Sequence, residues 1–364
     1  MKKLITVTIL FALFQSCNRA VFDIKQNFNI GALPKLAPSP FDNPSSPDKI
    51  ELGKLLFFDP ILSSNNKVSC ASCHAPSKGF TDGLGRSNGL VDGLKTKRNA
   101  PTILNSAFNG MDNLGSIDPG FSPQFYDNRA LSLEEQCLGP LLSSVEMKGV
   151  ALSDEEYLDS LEREVTHIKE YRNLFFRAFA DSLVSIENIN KAIASYERTL
   201  ITPNSPFDRY MRGEAGAMTE KQIEGMQEFI KTGCNQCHSG PMFSDYKLHV
   251  LGVEETSGLA SYDKGDGRYA FRTTTLRNLA FTAPYMHNGS QSTLEEVMKF
   301  YQRKRSRHPE VPNKDLAQQF KDLKLNPLQR SRTKKIIAFL EALNDPDFDQ
   351  SAPERVPSGL FTQE

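Results

Sequence analysis

The sequence predicts a mainly α-helical protein with two similar domains and long ordered loops. Two observations carry this prediction. The pentapeptide Cys-x-x-Cys-His occurs twice, at 70–74 and 234–238, and an amphipathic helix precedes each copy. In addition, the Gly- and Pro-rich stretches 79–125 and 239–270 show little helical or strand periodicity, and loops of that length usually carry function.

Each pentapeptide has the spacing that attaches a c-type haem. Two thiols form thioethers to the porphyrin, and the adjacent imidazole ligates the iron. A zinc site or a disulfide would leave the histidine after each pair unexplained. Two haems in one chain predict redox chemistry. The predicted attachment residues are Cys70, Cys73 and His74 for the first haem, and Cys234, Cys237 and His238 for the second.

The remaining elements follow in chain order. Segment 49–58 is an amphipathic helix that enters the first pentapeptide, and 219–231 repeats this arrangement before the second. The Pro-rich segment 202–206 is the predicted linker. Two cytochrome c-like haem domains therefore cover 48–201 and 207–345. Three further helices are predicted to close the first domain, at 153–163, 167–181 and 184–200.

The N-terminus has the pattern of an export signal. Lys2 and Lys3 precede a short apolar run that ends at Gln15-Ser16-Cys17, which resembles a lipoprotein processing site. Cleavage there would make Cys17 the lipidated first residue; the alternative is an ordinary signal peptide followed by a free cysteine. The remaining boundaries are a signal peptide at 1–17, a tether at 18–47 and a C-terminal tail at 346–364.

Composition narrows the class of protein. The formal charge of −1 predicts neither nucleic-acid binding nor strong electrostatic steering. No later segment is apolar enough to cross a bilayer, so membrane attachment would be by lipid alone. Because c-type haem is attached outside the cytoplasm, the predicted location is the periplasm or cell envelope. Cys137 has no evident partner and is predicted to be a buried small residue.

A series of ordered motifs between about residues 48 and 345 resembles the bacterial dihaem cytochrome c peroxidases and the related MauG group. The resemblance implies that the first haem reacts with hydrogen peroxide and the second delivers electrons from a small cytochrome c or cupredoxin. It also suggests a homodimer. The motifs are ELGKLLFFDP (51–60), CASCH (70–74), KRNAPT (97–102), QFYDNRA (124–130), SLEEQ (132–136), GPL (139–141), VEM (145–147), CNQCHSGP (234–241), LRN (276–278) and APYMHNG (283–289).

The resemblance places two catalytic residues beside the first haem. The acid/base carboxylate falls on Glu146 and a distal amide on Gln136. Cleaving the O–O bond requires a proton to move between the two oxygens, which suits a carboxylate, while an amide can orient the peroxide. Without the resemblance, Glu146 would be a solvated loop carboxylate. Gln136 would be a surface residue of the helix that Ser132 and Glu135 open as a capping box.

The first haem is predicted to be open. Peroxidases that require reductive activation carry a second histidine between the first pentapeptide and the KRNAPT motif, and this chain has none. The corresponding stretch, 87–93, offers no other good haem ligand. We therefore expect a high-spin first haem that is ready for peroxide.

The sixth ligand of the second haem has two candidates on one helix. Thr293 begins this helix, and Leu294, Val297, Met298 and Tyr301 share one face. The resemblance places the ligand at Tyr301, which is Met in the usual peroxidases and Tyr in the MauG group. Met298, one turn earlier, is the alternative, and a third possibility is that both are core residues.

The resemblance assigns two more features to the region between the haems. The chain has no Trp, and Tyr126 stands where the family commonly has a Trp electron relay; otherwise Tyr126 is a core residue. A calcium ion is expected at Asn99 and at the carbonyls of Thr282 and Pro284. Three other histidines match no family role and are expected to be surface or structural residues: His167, His249 and His308.

The sequence therefore favours a dihaem cytochrome c peroxidase that reduces hydrogen peroxide to water. Tyr301 and the open first haem also fit a MauG-like oxidase of a protein substrate, although the missing Trp argues against long-range oxidation. A plain dihaem electron carrier is the third possibility, and it would leave Glu146 without a role.

Overall fold

A computed structural model describes residues 29–362, except 257, 260 and 327. The fold is mainly α-helical, as predicted, and the predicted signal peptide and Cys17 lie outside the described residues. The only strands in the described part form a two-stranded antiparallel sheet of β1 (Leu248–Val250) and β2 (Ala270–Arg272). The helices are α1 (Pro47–Phe58), α2 (Cys70–Cys73), α3 (Leu133–Leu142), α4 (Asp154–His167), α5 (Lys169–Ala178), α6 (Ile186–Glu197), α7 (Pro206–Met211), α8 (Glu220–Lys231), α9 (Leu294–Arg303), α10 (Gln318–Asp322) and α11 (Arg330–Glu341).

The helices predicted from periodicity are present, with ends that shift by a few residues. The two helices that precede the pentapeptides are α1 and α8, and α4, α5 and α6 fill the three predicted segments before the linker. Serine or threonine caps fix the start of four of them, α5 being the exception; Ser153 and Glu156, for example, form a capping box at the start of α4. Within the described residues, no helix is both long and apolar enough to span a membrane.

The first half of the chain is organised by the crossing of α1 and α6. At Gly53 the two helices approach so closely that a Cβ atom would lie 1.9 Å from the carbonyl oxygen of Ala192. Next to this crossing, the rings of Phe57 and Tyr196 meet edge to face at 5.3 Å. The contact places the first pentapeptide, which follows α1, beside the same core.

The second half repeats this arrangement with α8 and α11. A Cβ atom at Gly225 would lie 1.9 Å from the carbonyl oxygen of Lys335. Next to this crossing, the rings of Phe229 and Phe339 meet edge to face at 5.3 Å, as those of Phe57 and Tyr196 do in the first half. Each pentapeptide thus follows a helix that crosses the last long helix of its own half at a glycine.

A second repeated feature follows each pentapeptide. Asn105 and Asn278 both adopt left-handed backbone conformation, with φ of 64° and 61°, and each precedes a short 3-10 helix. The amide groups of both side chains donate to the hydroxyl of Thr202, at 2.6 and 2.8 Å. Thr202, the first residue of the predicted linker, is buried and joins the two halves.

The described part of the predicted tether is packed against the protein, unlike a free spacer. Ile30 and Leu33 are buried, and the backbone N–H of Leu33 donates to Asp208 at 2.9 Å. Asn43 is also buried and donates to Glu134 of α3 at 2.6 Å. These contacts hold the segment across both halves of the molecule.

The predicted C-terminal tail also folds back onto the first half. Val356 is buried in the first core, and the Ser358 hydroxyl donates to Asp59 at 2.6 Å. Phe348 packs against Phe80 and Phe281, with ring centroids 6.1 and 5.8 Å away. The tail therefore contributes to the core around the first pentapeptide.

Candidate haem sites

The first pentapeptide forms a single helical turn, α2. Ser69 and Ser72 form a capping box that starts the turn. The backbone N–H of His74 donates to the Cys70 carbonyl at 2.9 Å, which closes the turn from the first cysteine to the histidine. In the second pentapeptide the N–H of His238 makes the corresponding bond to Cys234 at 3.0 Å.

Both pentapeptide histidines are oriented in the same way. The Nδ1 atom of His74 lies 3.0 Å from the Phe80 carbonyl oxygen, and that of His238 lies 3.0 Å from the Phe243 carbonyl oxygen. Each phenylalanine has a left-handed backbone, with φ of 57° and 52°, which points its carbonyl back at the ring. Fixing the proton on Nδ1 leaves Nε2 as the ligand atom.

The electrostatic surroundings of these residues fit haem attachment. Burial lowers the pKa of both His74 and His238, which favours the neutral imidazole that a metal requires. The four pentapeptide cysteines are half-buried residues, whereas Cys137 is buried in α3, as predicted. The residues present therefore fit two covalently held haems.

Both candidate sixth ligands line the cavity beside the second pentapeptide. This cavity is bordered by Cys234, Cys237 and His238, and by Met298 and Tyr301 from α9. Met298 is buried and Tyr301 half-buried. Burial raises the pKa of Tyr301, and the nearby thiols of Cys237 and Cys234 raise it further. The Tyr301 hydroxyl therefore lies within electrostatic range of the haem-attachment atoms.

Glu146 is held by backbone contacts on both sides. Its own N–H donates to the Ser143 hydroxyl at 3.2 Å. The carbonyl of Val145 accepts a hydrogen bond from the Leu90 N–H at 2.7 Å, and that of Met147 accepts one from the Ser64 N–H at 2.9 Å. The carboxylate is thus carried by a segment tied to two other loops.

Glu146 lies close enough to the first pentapeptide for its charge to act on the Cys73 thiol. Burial, followed by the charges of Asp82 and Glu146, raises the pKa of the Cys73 thiol to about 12. Burial also raises the pKa of Glu146 itself, and the opposing charge of Arg129 lowers it. A carboxyl group whose pKa moves toward neutrality is suited to proton exchange at working pH.

Gln136 is a half-buried residue of α3, one position before the buried Cys137. Ser132 caps this helix through the N–H of Glu135, but the Glu135 carboxylate accepts from the N–H of Leu131 at 2.7 Å. The cap is therefore a variant of the predicted capping box. Two hydrogen bonds from Arg198 to Glu134, at 2.8 and 2.9 Å, fix α3 against α6.

The loop without a second histidine is bound directly to the Glu146 segment. The Leu90 N–H donates to the Val145 carbonyl, as described above. Within the loop, the Gly89 N–H donates to the Leu94 carbonyl at 2.8 Å. A Cβ atom at Gly89 would lie 2.8 Å from the Val145 carbonyl oxygen, so the backbones meet closely here. Ser87 is buried and hydrogen-bonds the Cys73 thiol.

The structure brings the predicted relay and calcium residues together. The buried Tyr126 hydroxyl donates to Asn99 Oδ1 at 3.2 Å. Asn99 Nδ2 lies 2.7 Å from the Leu84 carbonyl oxygen and 3.3 Å from that of Pro284, and Thr282 borders the same cavity. The Asn99 amide thus donates to these two carbonyls through Nδ2, while its Oδ1 atom accepts from Tyr126.

A family model described as di-haem cytochrome c peroxidase matches residues 47–216. The cytochrome c551 peroxidase of Nitrosomonas europaea is 34% identical over 329 residues, which cover 88% of this chain and 86% of that protein. This chain belongs to the dihaem cytochrome c peroxidase and MauG family.

Other members of the family are similar to the same extent. The methylamine utilization protein MauG of Methylophilus methylotrophus is 33% identical over 334 residues, covering 88% of this chain and 89% of that protein. A crystal structure of a MauG-like protein associated with microbial copper homeostasis superposes with a TM-score of 0.71 at 30% identity. That match covers 86% of this chain and 95% of the other.

Sequence reasoning missed an ion-pair chain beside the Tyr126 region of this dihaem protein. Arg129 bonds one oxygen of Asp127 at 2.8 Å, and Arg98 bonds the other at 2.8 Å. Arg98 also holds both oxygens of Asp263, at 2.6 and 2.9 Å. The spacing of Asp127 and Arg129 is a local signal, but nothing local links Arg98 to Asp263.

The other histidines differ in their surroundings. His167 is exposed, while His249 is half-buried and bonds Asp245 at 2.9 Å. His249 and Asp245 lie close enough to Cys237 to hold a metal ion together, but the Cys237 thiol belongs to the second haem motif. His308 is buried, and its Nε2 atom lies 3.1 Å from a carboxylate oxygen of Glu255. His287, which sequence reasoning gave no role, is buried and stacks on Phe271 at 3.7 Å.

Proposed function

We propose that this chain is a dihaem peroxidase that reduces hydrogen peroxide to water with electrons from a small cytochrome c or cupredoxin. One observation carries the proposal. Glu146, whose charge acts on the Cys73 thiol of the first haem motif, is carried by a segment with backbone bonds on both sides, in a loop cluster that contains no second histidine. Several relatives are named cytochrome c peroxidases, two of them of similar length to this chain, which supports the same activity.

When bound, the two haems supply one iron that binds peroxide and one that passes electrons. His74 would hold the first haem iron and His238 the second, each through the Nε2 atom that its Nδ1 contact leaves available. The Glu146 carboxylate takes a proton from one peroxide oxygen and returns it to the departing one. The Gln136 amide orients the peroxide without competing for that proton. These roles of Glu146 and Gln136 follow from the resemblance and stay predictions.

Tyr301 is the proposed sixth ligand of the second haem, because its hydroxyl lies near the attachment thiols. Met298, on the same helix, remains the alternative. Tyr126 is the proposed relay between the two halves, and its hydrogen bond to Asn99 couples it to the calcium site proposed at Asn99, Thr282 and Pro284. The closeness of the Asn99 side chain to the Pro284 carbonyl, with Thr282 bordering the same cavity, supports that site.

Location and assembly follow from the chemistry of attachment. Because c-type haem is attached outside the cytoplasm, we place the protein in the periplasm or cell envelope. The export signal supports this location, and the position of Cys17 supports a lipid anchor. The family resemblance supports a homodimer.

The decisive experiment replaces the proposed acid/base group in the haem-loaded protein. Glu146→Gln keeps the size of the side chain and removes the titratable group, so peroxide turnover should fall by roughly 10²-fold or more. The haem spectra should stay unchanged. Glu135→Gln, in an exposed carboxylate of α3, is the matched control and should retain full turnover. Peroxide turnover that survives Glu146→Gln would contradict this mechanism.

One observation favours a second function, oxidation of a protein substrate as in the MauG group. Tyr301, rather than a methionine, stands at the position that the resemblance aligns with the sixth ligand. The two functions differ in what sustains peroxide consumption. A peroxidase consumes peroxide continuously with a reduced small cytochrome c or cupredoxin, whereas a protein oxidase does so only with its specific substrate. A simple electron carrier would not consume peroxide with either.

A further inference from the structure

Tyr269 stands at the edge of the cavity that holds the second haem motif. It directly precedes β2 and borders the cavity together with Cys234 and Cys237. Its backbone is left-handed, with φ of 61°, and its hydroxyl donates to a carboxylate oxygen of Glu310. Glu310 is exposed, so a proton received there can pass to bulk water.

The acceptor distinguishes Tyr269 from Tyr126 and Tyr285, two other tyrosines that border this cavity. A neutral tyrosine gives up an electron readily only when its phenolic proton leaves at the same time, so the strength of the neighbouring base matters. A carboxylate is a far stronger base than an amide or a peptide carbonyl. The acceptors are an amide oxygen for Tyr126, the Leu279 carbonyl for Tyr285, and a carboxylate for Tyr269.

An aromatic path leads from Tyr269 to the surface. The ring of His308 lies 4.8 Å from that of Tyr269 and 5.0 Å from that of Tyr262. Tyr262 is 39% exposed, so it reaches the surface. Rings in such contact provide short steps for electrons between the surface and the haem cavity.

The middle ring of this path is fixed in one orientation. His308 Nδ1 accepts the backbone N–H of Glu310 at 3.0 Å, which places the ring proton on Nε2. Nε2 then donates to Glu255 at 3.1 Å. The same segment therefore positions both the base, Glu310, and the ring that contacts Tyr269.

We propose that Tyr269 is a redox-active residue through which electrons reach the second haem from the surface at Tyr262. The inference rests on the proposed peroxidase function, because peroxide supplies the oxidant. Tyr269 gives one electron to the peroxide-oxidised protein and its phenolic proton to Glu310, which leaves a neutral tyrosyl radical and a carboxylic acid. The donor protein then returns one electron by way of Tyr262 and His308, and Glu310 returns the proton.

Two variants of the haem-loaded full chain test the proposal. Tyr269→Phe removes the oxidisable hydroxyl. Glu310→Gln keeps a hydrogen-bond acceptor for Tyr269 but cannot take its proton. In both, donor-supported peroxide turnover should fall by roughly tenfold or more. The rate of the first reaction with peroxide, followed by stopped-flow absorbance, should match the unaltered protein and shows that the variants are folded.

A spectroscopic signature completes the test. After one equivalent of peroxide without donor, electron paramagnetic resonance should show a tyrosyl radical in the unaltered protein and in the control Tyr285→Phe, but not in Tyr269→Phe. Normal turnover in Tyr269→Phe would overturn the proposal. A defect in Tyr269→Phe but not in Glu310→Gln would also overturn it, because Tyr269 would then act by packing alone. If the unaltered protein does not react with peroxide, the peroxidase function itself fails.

Discussion

At the scale of single residues, the charge state of Glu146 is set by two opposing influences. Burial raises its pKa, and Arg129 lowers it. Arg129 is held in place, because its guanidinium lies 3.5 Å from the centre of the Phe125 ring and bonds Asp127 at 2.8 Å. An exposed arginine thus acts on a half-buried carboxyl group from a fixed position.

Arg129→Gln should therefore shift the pH profile of peroxide turnover. Glu146 must be deprotonated to accept a proton, so kcat/KM for peroxide rises with pH through its pKa. Removing the positive charge raises that pKa, and the acidic limb of the profile should move to higher pH. Arg268→Gln removes an exposed arginine that pairs with Asp266 and should leave the limb unchanged. An unmoved acidic limb in Arg129→Gln would mean that Arg129 does not act on the catalytic acid.

Tyr301 and Met298 can be separated by a pair of substitutions. Tyr301→Phe should remove the sixth ligand of the second haem and change its visible and electron paramagnetic resonance spectra. Met298→Leu conserves volume in a buried position and should leave those spectra unchanged, at a cost in stability below about 1.5 kcal/mol. The reverse pattern would assign the ligand to Met298. Unchanged spectra in both would mean that both side chains serve packing.

The attachment residues were the part of the site that sequence could predict, because the chemistry fixes their spacing within five positions. Their orienting contacts were not predictable to the same degree. The Phe80 and Phe243 carbonyls act through left-handed backbone conformations that phenylalanine does not signal. Arg98 and Asp263 meet across 165 positions, and no local pattern announces such a pair.

At the scale of elements, sequence predicted where helices form but not how they cross. Periodicity and polar caps located α1 and α8, because these signals depend on neighbouring residues only. The crossings depend on Gly53 and Gly225, which in an isolated helix would simply look unfavourable by about 1 kcal/mol relative to alanine. Their purpose is visible only when the partner helix is present.

Gly225→Ala should therefore destabilise the protein in spite of the better helix propensity of alanine. The new Cβ would overlap the Lys335 carbonyl oxygen, and relief requires α8 and α11 to move apart, at a cost of about 1–3 kcal/mol. Thermal unfolding of the haem-loaded protein measures the effect. Gly216→Ala, where a Cβ would meet nothing within 4 Å, is the matched control and should be nearly neutral. Equal stability of the two variants would show that the crossing tolerates a side chain.

At the scale of the whole molecule, two copies of one architecture share a single joint. The side-chain oxygen of Asn105 accepts a hydrogen bond from the Thr202 N–H at 2.8 Å, and that of Asn278 accepts one from the Asp345 N–H at 2.8 Å. Thr202 and Asp345 each lie just beyond the last helix of their half. The two halves differ in one respect. The side-chain amides of Asn105 and Asn278 both donate to the hydroxyl of Thr202, which therefore serves both halves. The predicted linker is thus a buried contact that sets the two haem motifs relative to each other.

Thr202→Val should weaken this joint. Valine has nearly the same shape but cannot accept hydrogen bonds, so two buried amide groups lose a partner at about 1–3 kcal/mol each. We expect a lower unfolding temperature and, because the halves become less tightly oriented, slower electron transfer between the haems after rapid mixing with peroxide. Thr199→Val changes an exposed threonine that bonds only the Tyr196 carbonyl, and should affect neither measurement. A variant that loses stability but transfers electrons at the normal rate would show that Thr202 holds the halves together without setting the path between them.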